Sequence, residues 1–303
     1  LDTGKENVSY SEFIDRELIH FSKYDCDRSI PNIMDGLKIS LRKILFSAFK
    51  KNLNKEIKVA QFSGYVSEHS GYHHGEASLN AAIVGMAQDY VGSNNINLLV
   101  PNGQFGTRLQ GGKDSASERY IFTYLNPITR LIYRQEDDAI LEYLDDDGAS
   151  IEPIYYLPII PMILVNGSKG IGTGFSTDII SYNPISIIKH IREKLKGKNE
   201  NNCIIEPYYN GFKGKIIELD ENKYLIKGNY KILKKNVFKI TELPIGTWTD
   251  DYKQFLENAM DKQSKSYLGI IKDFNDLSTD KNVEIEISLN EHVNTIELIE
   301  NDK

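Results

Sequence analysis

From Ile33 onward the apolar residues Ile33, Leu37, Leu41, Ile44, Leu45 and Phe49 recur three or four positions apart, which predicts an amphipathic helix with Pro31 just ahead of it. Lys38 and Arg42, four apart, fall on the outer face of that helix. A second helical pattern, from about Ala77 to Val91, turns Leu79, Ile83, Met86, Ala87 and Tyr90 inward and follows directly on His73-His74-Gly75-Glu76. The run Arg119–Leu125 reads as a short strand. Further on, Pro184–Leu195 reads as a helix, Lys196–Asn202 as an exposed loop, and Gly214–Ile226 and Lys231–Ile240 as strands separated by turns. Two helices joined by a turn-rich connection and carrying a basic face are consistent with a helix-turn-helix or winged-helix module. The fold class expected from the pattern is therefore α+β, a helix-turn-helix or winged-helix module followed by a mixed α/β domain.

Length and composition narrow this picture. At 303 residues, 40% hydrophobic and 26% charged, the chain is sized for about two domains. Its longest apolar stretch, Ile159–Val165, contains a proline and is far too short to span a membrane, so no membrane partner is expected. With Cys26 and Cys203 as the only cysteines there is no disulfide framework, and a reducing compartment is expected. The amino end carries no signal or transit pattern. A first residue Leu1 in place of methionine is what an excised or processed fragment would show.

The net charge of −7 argues at first against nucleic acid, because phosphate binding needs cations to displace counterions. The charge is polarised, however. Lys38, Arg42, Lys43, Lys50, Lys51, Lys55 and Lys58 share a stretch whose only acid is Glu56, while Asp273, Asp276, Asp280, Glu284, Glu286, Glu291, Glu297 and Glu300 crowd the carboxyl end.

Several familiar motifs fail on spacing. Gly112-Lys113 has Thr107 where a phosphate-binding loop needs its first glycine and Asp114 where it needs a hydroxyl. Gly170, Gly172 and Gly174 follow an apolar run, but Phe175 stands where a dinucleotide fingerprint needs a glycine. His69, His73, His74 and Glu76 come without an HExxH or CxxC pattern, and Asp145-Asp146-Asp147-Gly148 reads as an acidic turn. No cofactor or metal ligand set is therefore assigned to this chain.

Four segments taken in order leave less freedom: Arg28-Ser29-Ile30-Pro31-Asn32-Ile33-Met34-Asp35-Gly36-Leu37-Lys38, Tyr72-His73-His74-Gly75-Glu76, Gly103-Gln104-Phe105-Gly106-Thr107-Arg108, and Ala116-Ser117-Glu118-Arg119-Tyr120. They closely resemble the DNA-breakage core of type IIA DNA topoisomerases of the eukaryotic type. The likeness continues through Asn166–Gly174 and Glu242-Leu243-Pro244 with Trp248, and loosens after about Asn199.

The resemblance implies a linker over 1–20 from an upstream TOPRIM domain, a winged-helix DNA-cleavage domain over 21–158, and a tower domain over 159–303. It implies an ATP-driven enzyme that cleaves duplex DNA through a 5′-phosphotyrosyl intermediate and passes a second duplex through the gap. Tyr120 would be the nucleophile, with Arg119, His74 and Arg28 beside the scissile phosphate. Phenols ionise near pH 10, so attack at neutral pH needs help in losing the proton and in stabilising the phosphorane charge. Arginines can fork onto phosphate oxygens and a histidine can donate or relay a proton. Lys38, Arg42, Lys43, His73, Gln104, Arg108, Lys113 and Ser115 would contact DNA, and Ile171 would be an apolar wedge between base pairs.

Mg²⁺ would be bound by the TOPRIM domain and ATP by the ATPase domain, neither of which this chain contains. The isolated chain would bind duplex DNA weakly and would not relax supercoils. In the full enzyme it would be part of a homodimer, in the nucleus if the parent is a cellular eukaryotic enzyme, or in an organelle or viral factory.

Taken singly, these residues have plainer readings. Tyr120 is one of 18 tyrosines and could be a packed strand residue, His73 and His74 could be capping or core histidines, and Lys38, Arg42 and Lys43 could be the wet face of a helix. Two departures from the family pattern stand out: Glu118 ahead of Arg119-Tyr120, where proline or a small residue is usual, and Ile39 after Lys38, where proline is common. The rival readings are an inactive winged-helix DNA-binding module and a histidine-centred metal hydrolase.

Overall fold

The computed structural model describes residues 7–197, 205–221 and 223–293. Cys203, Glu297 and Glu300, and part of the expected 196–202 loop, lie outside them. The elements divide between two compact units. The first comprises Leu1–Asp89, Asn94–Gly103 and Ser117–Tyr208, and the second Tyr90–Ser93, Gln104–Ala116 and Tyr209–Lys303.

The first unit opens with helix α1, Tyr10–Phe13, a π-helical turn Ile14–Leu18 and helix α2, Ile19–Ser29. The expected linker over 1–20 is thus helical from Tyr10. After a loop, α3 (Ile39–Lys50) leads to β1 (Ile57–Lys58), α4 (Val59–Ser70) and α5 (Glu76–Ala87). Then come β2 (Leu99–Asn102), β3 (Phe122–Leu125) and the short α6 (Thr129–Ile132). The unit closes with the hairpin β4–β5 (Tyr143–Asp146 and Ala149–Pro153), α7 (Met162–Asn166), the hairpin β6–β7 (Ser168–Ile171 and Ser176–Ile179) and α8 (Pro184–Leu195).

α3 differs from expectation in a way that matters. Its seven consecutive residues Arg42–Ala48 are all buried, because α4, α5 and β5 pack around it. It is a central helix rather than a half-wet one, and it starts at Ile39, since the Ile30–Lys38 segment is a closed loop. The core of the unit gathers Ile44, Leu45, Phe62, Leu79, Ile83, Leu99 and Ile121. β1, β3 and β2 pair antiparallel in that order, with Ile57 opposite Thr123 and Val100 opposite Tyr124. Three packed helices beside a small antiparallel sheet are an α+β arrangement of winged-helix type.

The second unit contains the hairpin β8–β9 (Lys215–Asp220 and Lys223–Lys227), then β10 (Asn229–Lys234), β11 (Val237–Glu242), α9 (Thr249–Met260), β12 (Ile271–Asp276) and β13 (Ile285–Leu289). Its four-stranded sheet has the order β10-β11-β13-β12, and its core joins Leu243 and Leu256 to Val283, Ile285 and Ile287. Position 158/159, the expected domain boundary, lies within the Ser117–Tyr208 stretch of the first unit.

Candidate nucleic-acid interface and tyrosine site

The loop Ile30–Lys38 is organised by Asp35, which is fully buried. Its carboxylate accepts backbone N–H bonds from Leu37 (2.9 Å) and Tyr156 (3.0 Å) and a forked pair from Arg42, Nε at 2.7 Å and a terminal nitrogen at 3.0 Å. The same terminal nitrogen donates to the Leu37 carbonyl at 2.8 Å. A carboxylate this deep needs a paired cation. Arg42 is therefore consumed by the fold, buried rather than on the outer helix face expected of it. Lys43 is a second correction: its ammonium is buried, 2.8 Å from Glu152 and donating also to the Ser70 carbonyl. Lys38, at the cap of α3, is only half-buried, and burial pulls its pKa down. Lys50, Lys51, Lys55 and Lys58 remain exposed.

Between α4 and α5 the chain turns through Gly71 (φ 59°) and Gly75 (φ 83°), a left-handed cap and a positive-φ entry that bracket Tyr72-His73-His74. His73 is exposed and His74 half-buried. Tyr24 of α2 places its hydroxyl 2.8 Å from His74 Nε2, and the buried Tyr72 ring meets the imidazole edge-on at 5.5 Å. Desolvation first, then the charges of Arg28, His73 and Lys43, hold His74 below the usual histidine pKa, so it is neutral at pH 7. Arg28, itself exposed, also acts on Tyr72. The structure thus brings Arg28, His73 and His74 together. Sequence reading missed Tyr24; its spacing of four from Arg28 was the available signal.

Tyr120 is 73% exposed and Arg119 is exposed beside it. The strand expected over Arg119–Leu125 begins only at Phe122; Arg119 and Tyr120 sit in a turn in which Tyr120 N–H donates to the Ser117 carbonyl at 2.9 Å. That turn is tied to the start of α4: Val59 N–H donates to the Ile121 carbonyl (3.0 Å) and Ala60 N–H to the Glu118 carbonyl (3.1 Å). His74 lies just past the other end of this 12-residue helix, and 12 residues span about 18 Å. Among the described residues no hydrogen bond, ion pair or ring contact joins Tyr120 to Arg28 or His74. Tyr120 and Arg119 thus sit by the start of α4 and His74 just past its end. Glu118 is half-buried and accepts from Ser117 Oγ at 3.3 Å.

Ile171 closes β6 and is 84% exposed, so it is not tucked against its own unit. Its flanking glycines explain this: a Cβ on Gly170 would collide with the Ser29 carbonyl, and one on Gly172 would press on Cys26. The hairpin can therefore lie flat on α2 with the isoleucine outward.

In the second unit Arg108 is buried in an ion pair with buried Glu242, whose other oxygen accepts from Lys213 N–H at 3.1 Å. This is the third cation expected at DNA that the fold uses internally. Thr107 is locked to Asp114 by its N–H (2.8 Å) and hydroxyl (2.6 Å), while Gln104 and Lys113 are exposed and Ser115 half-buried. Asp145 and Asp146 end β4 and Asp147-Gly148 turn the chain into β5, Gly148 N–H donating to Asp145 at 2.9 Å. Among the described residues no three His, Cys, Asp or Glu side chains are grouped to hold a metal ion. Nor, among those residues, is any helix long and apolar enough to cross a membrane.

A winged-helix-type α+β core with an exposed tyrosine and an arginine–histidine cluster defines the class of protein. Residues 28–302 match the family of DNA gyrase/topoisomerase IV A subunits, and the chain belongs to that family. DNA topoisomerase 2 of Arabidopsis thaliana is 52% identical over 295 residues, 96% of this chain and 20% of that protein. The Drosophila melanogaster DNA topoisomerase 2 is 49% identical over 285 residues, 94% of this chain and 20% of that protein. A mitochondrial DNA topoisomerase 2 of Dictyostelium discoideum is 50% identical over 290 residues, 96% of this chain and 22% of that protein. The solved DNA-binding, cleavage and re-ligation domain of Plasmodium falciparum topoisomerase II superposes with a TM-score of 0.87 at 46% identity, covering 96% of this chain and 39% of that one. The eukaryotic-type resemblance read from the four segments is borne out. The chain spans about a fifth of the length of the curated relatives it matches.

Proposed function

We propose that this chain is the DNA-cleaving and rejoining portion of a type II DNA topoisomerase, acting on duplex DNA through Tyr120. The observation that carries this reading is the exposed Tyr120 hydroxyl, side by side with Arg119 on a turn pinned to α4, in a chain whose second cluster, Arg28 with His74, suits a phosphate. The phenolic oxygen attacks a backbone phosphorus and gives up its proton. The bond to the sugar 3′ oxygen breaks, that oxygen takes a proton, and the 5′ phosphate is left esterified to protein. Reversal reseals the strand without an external energy source. Arg119 and Arg28 neutralise phosphate oxygens as charge builds, and a neutral His74 offers one N–H donor.

The separation of Tyr120 from Arg28 along α4 supports a homodimer in which the tyrosine of one copy meets the cationic cluster of the other at each strand. The exposed lysines Lys50, Lys51, Lys55 and Lys58 and the half-buried Lys38, together with Gln104, Lys113, Ser115 and His73, would touch the duplex, and Ile171 would wedge between base pairs. The second unit would correspond to the tower. Mg²⁺ and ATP would be bound by portions of the longer enzyme outside this chain, supplying further charge neutralisation and driving strand passage. The compartment would be the nucleus for a cellular parent, with an organelle or viral factory as the alternative.

The test is to join the chain to the metal-binding portion of a relative, add Mg²⁺ and duplex DNA, and look for protein covalently attached to a 5′ end. Attachment in wild type that vanishes in Tyr120→Phe is expected. DNA binding with no attachment in either would instead assign an inactive winged-helix module, and hydrolysis that survives loss of Tyr120 would assign a metal hydrolase.

A further inference from the structure

We propose that Asp25 and Thr173 are positioning residues for Ile171: the hydrogen bond between them fastens the β6–β7 hairpin to α2, the helix that also carries Arg28, and so sets where the duplex is opened relative to the phosphate that is cut. The inference rests on the wedge role given to Ile171 above.

A hairpin of two four-residue strands has little stability of its own, so the direction of its tip is decided by what it lies on. Here it lies on the carboxyl-terminal part of α2. Thr173 Oγ1 donates to Asp25 Oδ2 at 2.8 Å, and Cys26 Sγ donates to the Thr173 carbonyl at 3.4 Å. Thr173 is thereby held through both its side chain and its backbone. Gly170 passes so close to the Ser29 carbonyl that no side chain would fit, and a Cβ on Gly172 would stand 3.0 Å from Cys26 Sγ. Residues 25, 26 and 29 share one face of a helix, so a single face of α2 forms the whole seat.

The turn itself is tight: Gly172 N–H donates to the Phe175 carbonyl at 2.8 Å, and Gly174, at φ 78°, lets the chain reverse. Ile171 pairs with Ser176 on the last rung before it, so fastening Thr173 also fixes the exposed isoleucine two residues away. Arg28 follows Asp25 by three residues, a rise of about 4.5 Å along the helix, and its charge acts on His74. One rigid element therefore carries both the wedge and part of the phosphate cluster. A hairpin free to rock on α2 would present Ile171 in several orientations, and the opened base step would be filled only part of the time.

Two measurements test this. In the chain alone, N-ethylmaleimide should alkylate Cys26 about two- to tenfold faster in Thr173→Val and in Asp25→Ala than in wild type, the range one hydrogen bond provides. Thr173→Ser keeps the hydroxyl and should restore the wild-type rate, with Cys26 distinguished from Cys203 by peptide mass spectrometry. The second measurement joins the chain to the metal-binding portion of a relative, with Mg²⁺ and a duplex labelled at both ends. Thr173→Val should bend that duplex less than wild type at matched occupancy. The double variant with Ile171→Ala should bend it no less than Ile171→Ala alone, because Thr173 acts only through Ile171. Unaltered alkylation in Thr173→Val and Asp25→Ala, no recovery in Thr173→Ser, or bending losses that add in full overturns the inference. If Ile171→Ala itself bends DNA like wild type, it is the wedge role that fails; the alkylation needs no DNA and separates the two.

Discussion

The guanidinium of Arg42 forks onto the fully buried carboxylate of Asp35, seven residues earlier, at 2.7 and 3.0 Å. A cation on what the sequence presents as the outer face of a helix is thereby a structural part of the loop that leads from Arg28 to Lys38. Arg42→Ala would leave Asp35 charged and unpaired in the interior. Breaking a buried pair in this way costs about 3–5 kcal/mol, so a fall in melting temperature on the order of 10 °C is expected by calorimetry. The double variant Asp35→Asn with Arg42→Met should recover part of that loss; if Arg42→Ala melts like wild type, the pair is not structural.

Lys38 makes the opposite case. Half-buried at the cap of α3, with no ion pair among the described residues, it is available for a phosphate. Lys38→Ala should leave stability within about 0.5 kcal/mol and reduce the slope of log affinity against log salt by about 0.9, equally on unrelated duplexes. Fluorescence anisotropy titrations at several salt concentrations would measure this, and an unchanged slope would remove Lys38 from the interface.

The contrast between Lys38 and Arg42 shows what the sequence could and could not convey. Helices α5 and α8 were legible because local chemistry determines them: an apolar period for the first, and Asn183 capping the Ile185 N–H ahead of Pro184 for the second. The site motifs were legible because residue types and separations coincide over four segments. Burial of the cations was not. Lys43 meets Glu152, 109 residues away, and Arg108 meets Glu242, 134 away, so their pairing is a tertiary fact with no local pattern. Tyr24 stands four residues from Arg28, a local signal, but its contact with His74, 50 residues distant, is again a tertiary one.

His74 gives a pH prediction. Its folded-state pKa is below the ordinary histidine value near 6.5, so the unfolded chain binds its proton more readily than the folded one. The resulting stability is complete above the unfolded pKa and is lost as pH falls through the lower folded one. Urea unfolding midpoints should decline from pH 7 towards pH 5, and His74→Gln should flatten that decline. A slope that is the same in both proteins would mean that another group carries the titration.

Ile171 can be tested separately from the chemistry at Tyr120. It is 84% exposed at the end of β6, so Ile171→Ala removes little buried surface and should change stability by less than about 0.5 kcal/mol. As a wedge, however, it would stabilise a kinked duplex, because partial unstacking is offset only when an apolar side chain fills the opened step. A duplex labelled at both ends should therefore show a smaller bend by energy transfer with Ile171→Ala than with wild type, at matched occupancy. Gly172→Ala separates support from insertion. Its added methyl would sit 3.0 Å from Cys26 Sγ and 3.1 Å from its Cα, where the Sγ also donates to the Thr173 carbonyl, so the contact between hairpin and α2 gives by a few tenths of an ångström. That variant should lose both stability, by about 1–3 kcal/mol, and bending, whereas Ile171→Ala should lose bending alone. Equal bending by wild type and Ile171→Ala would leave the exposed isoleucine without a role at DNA.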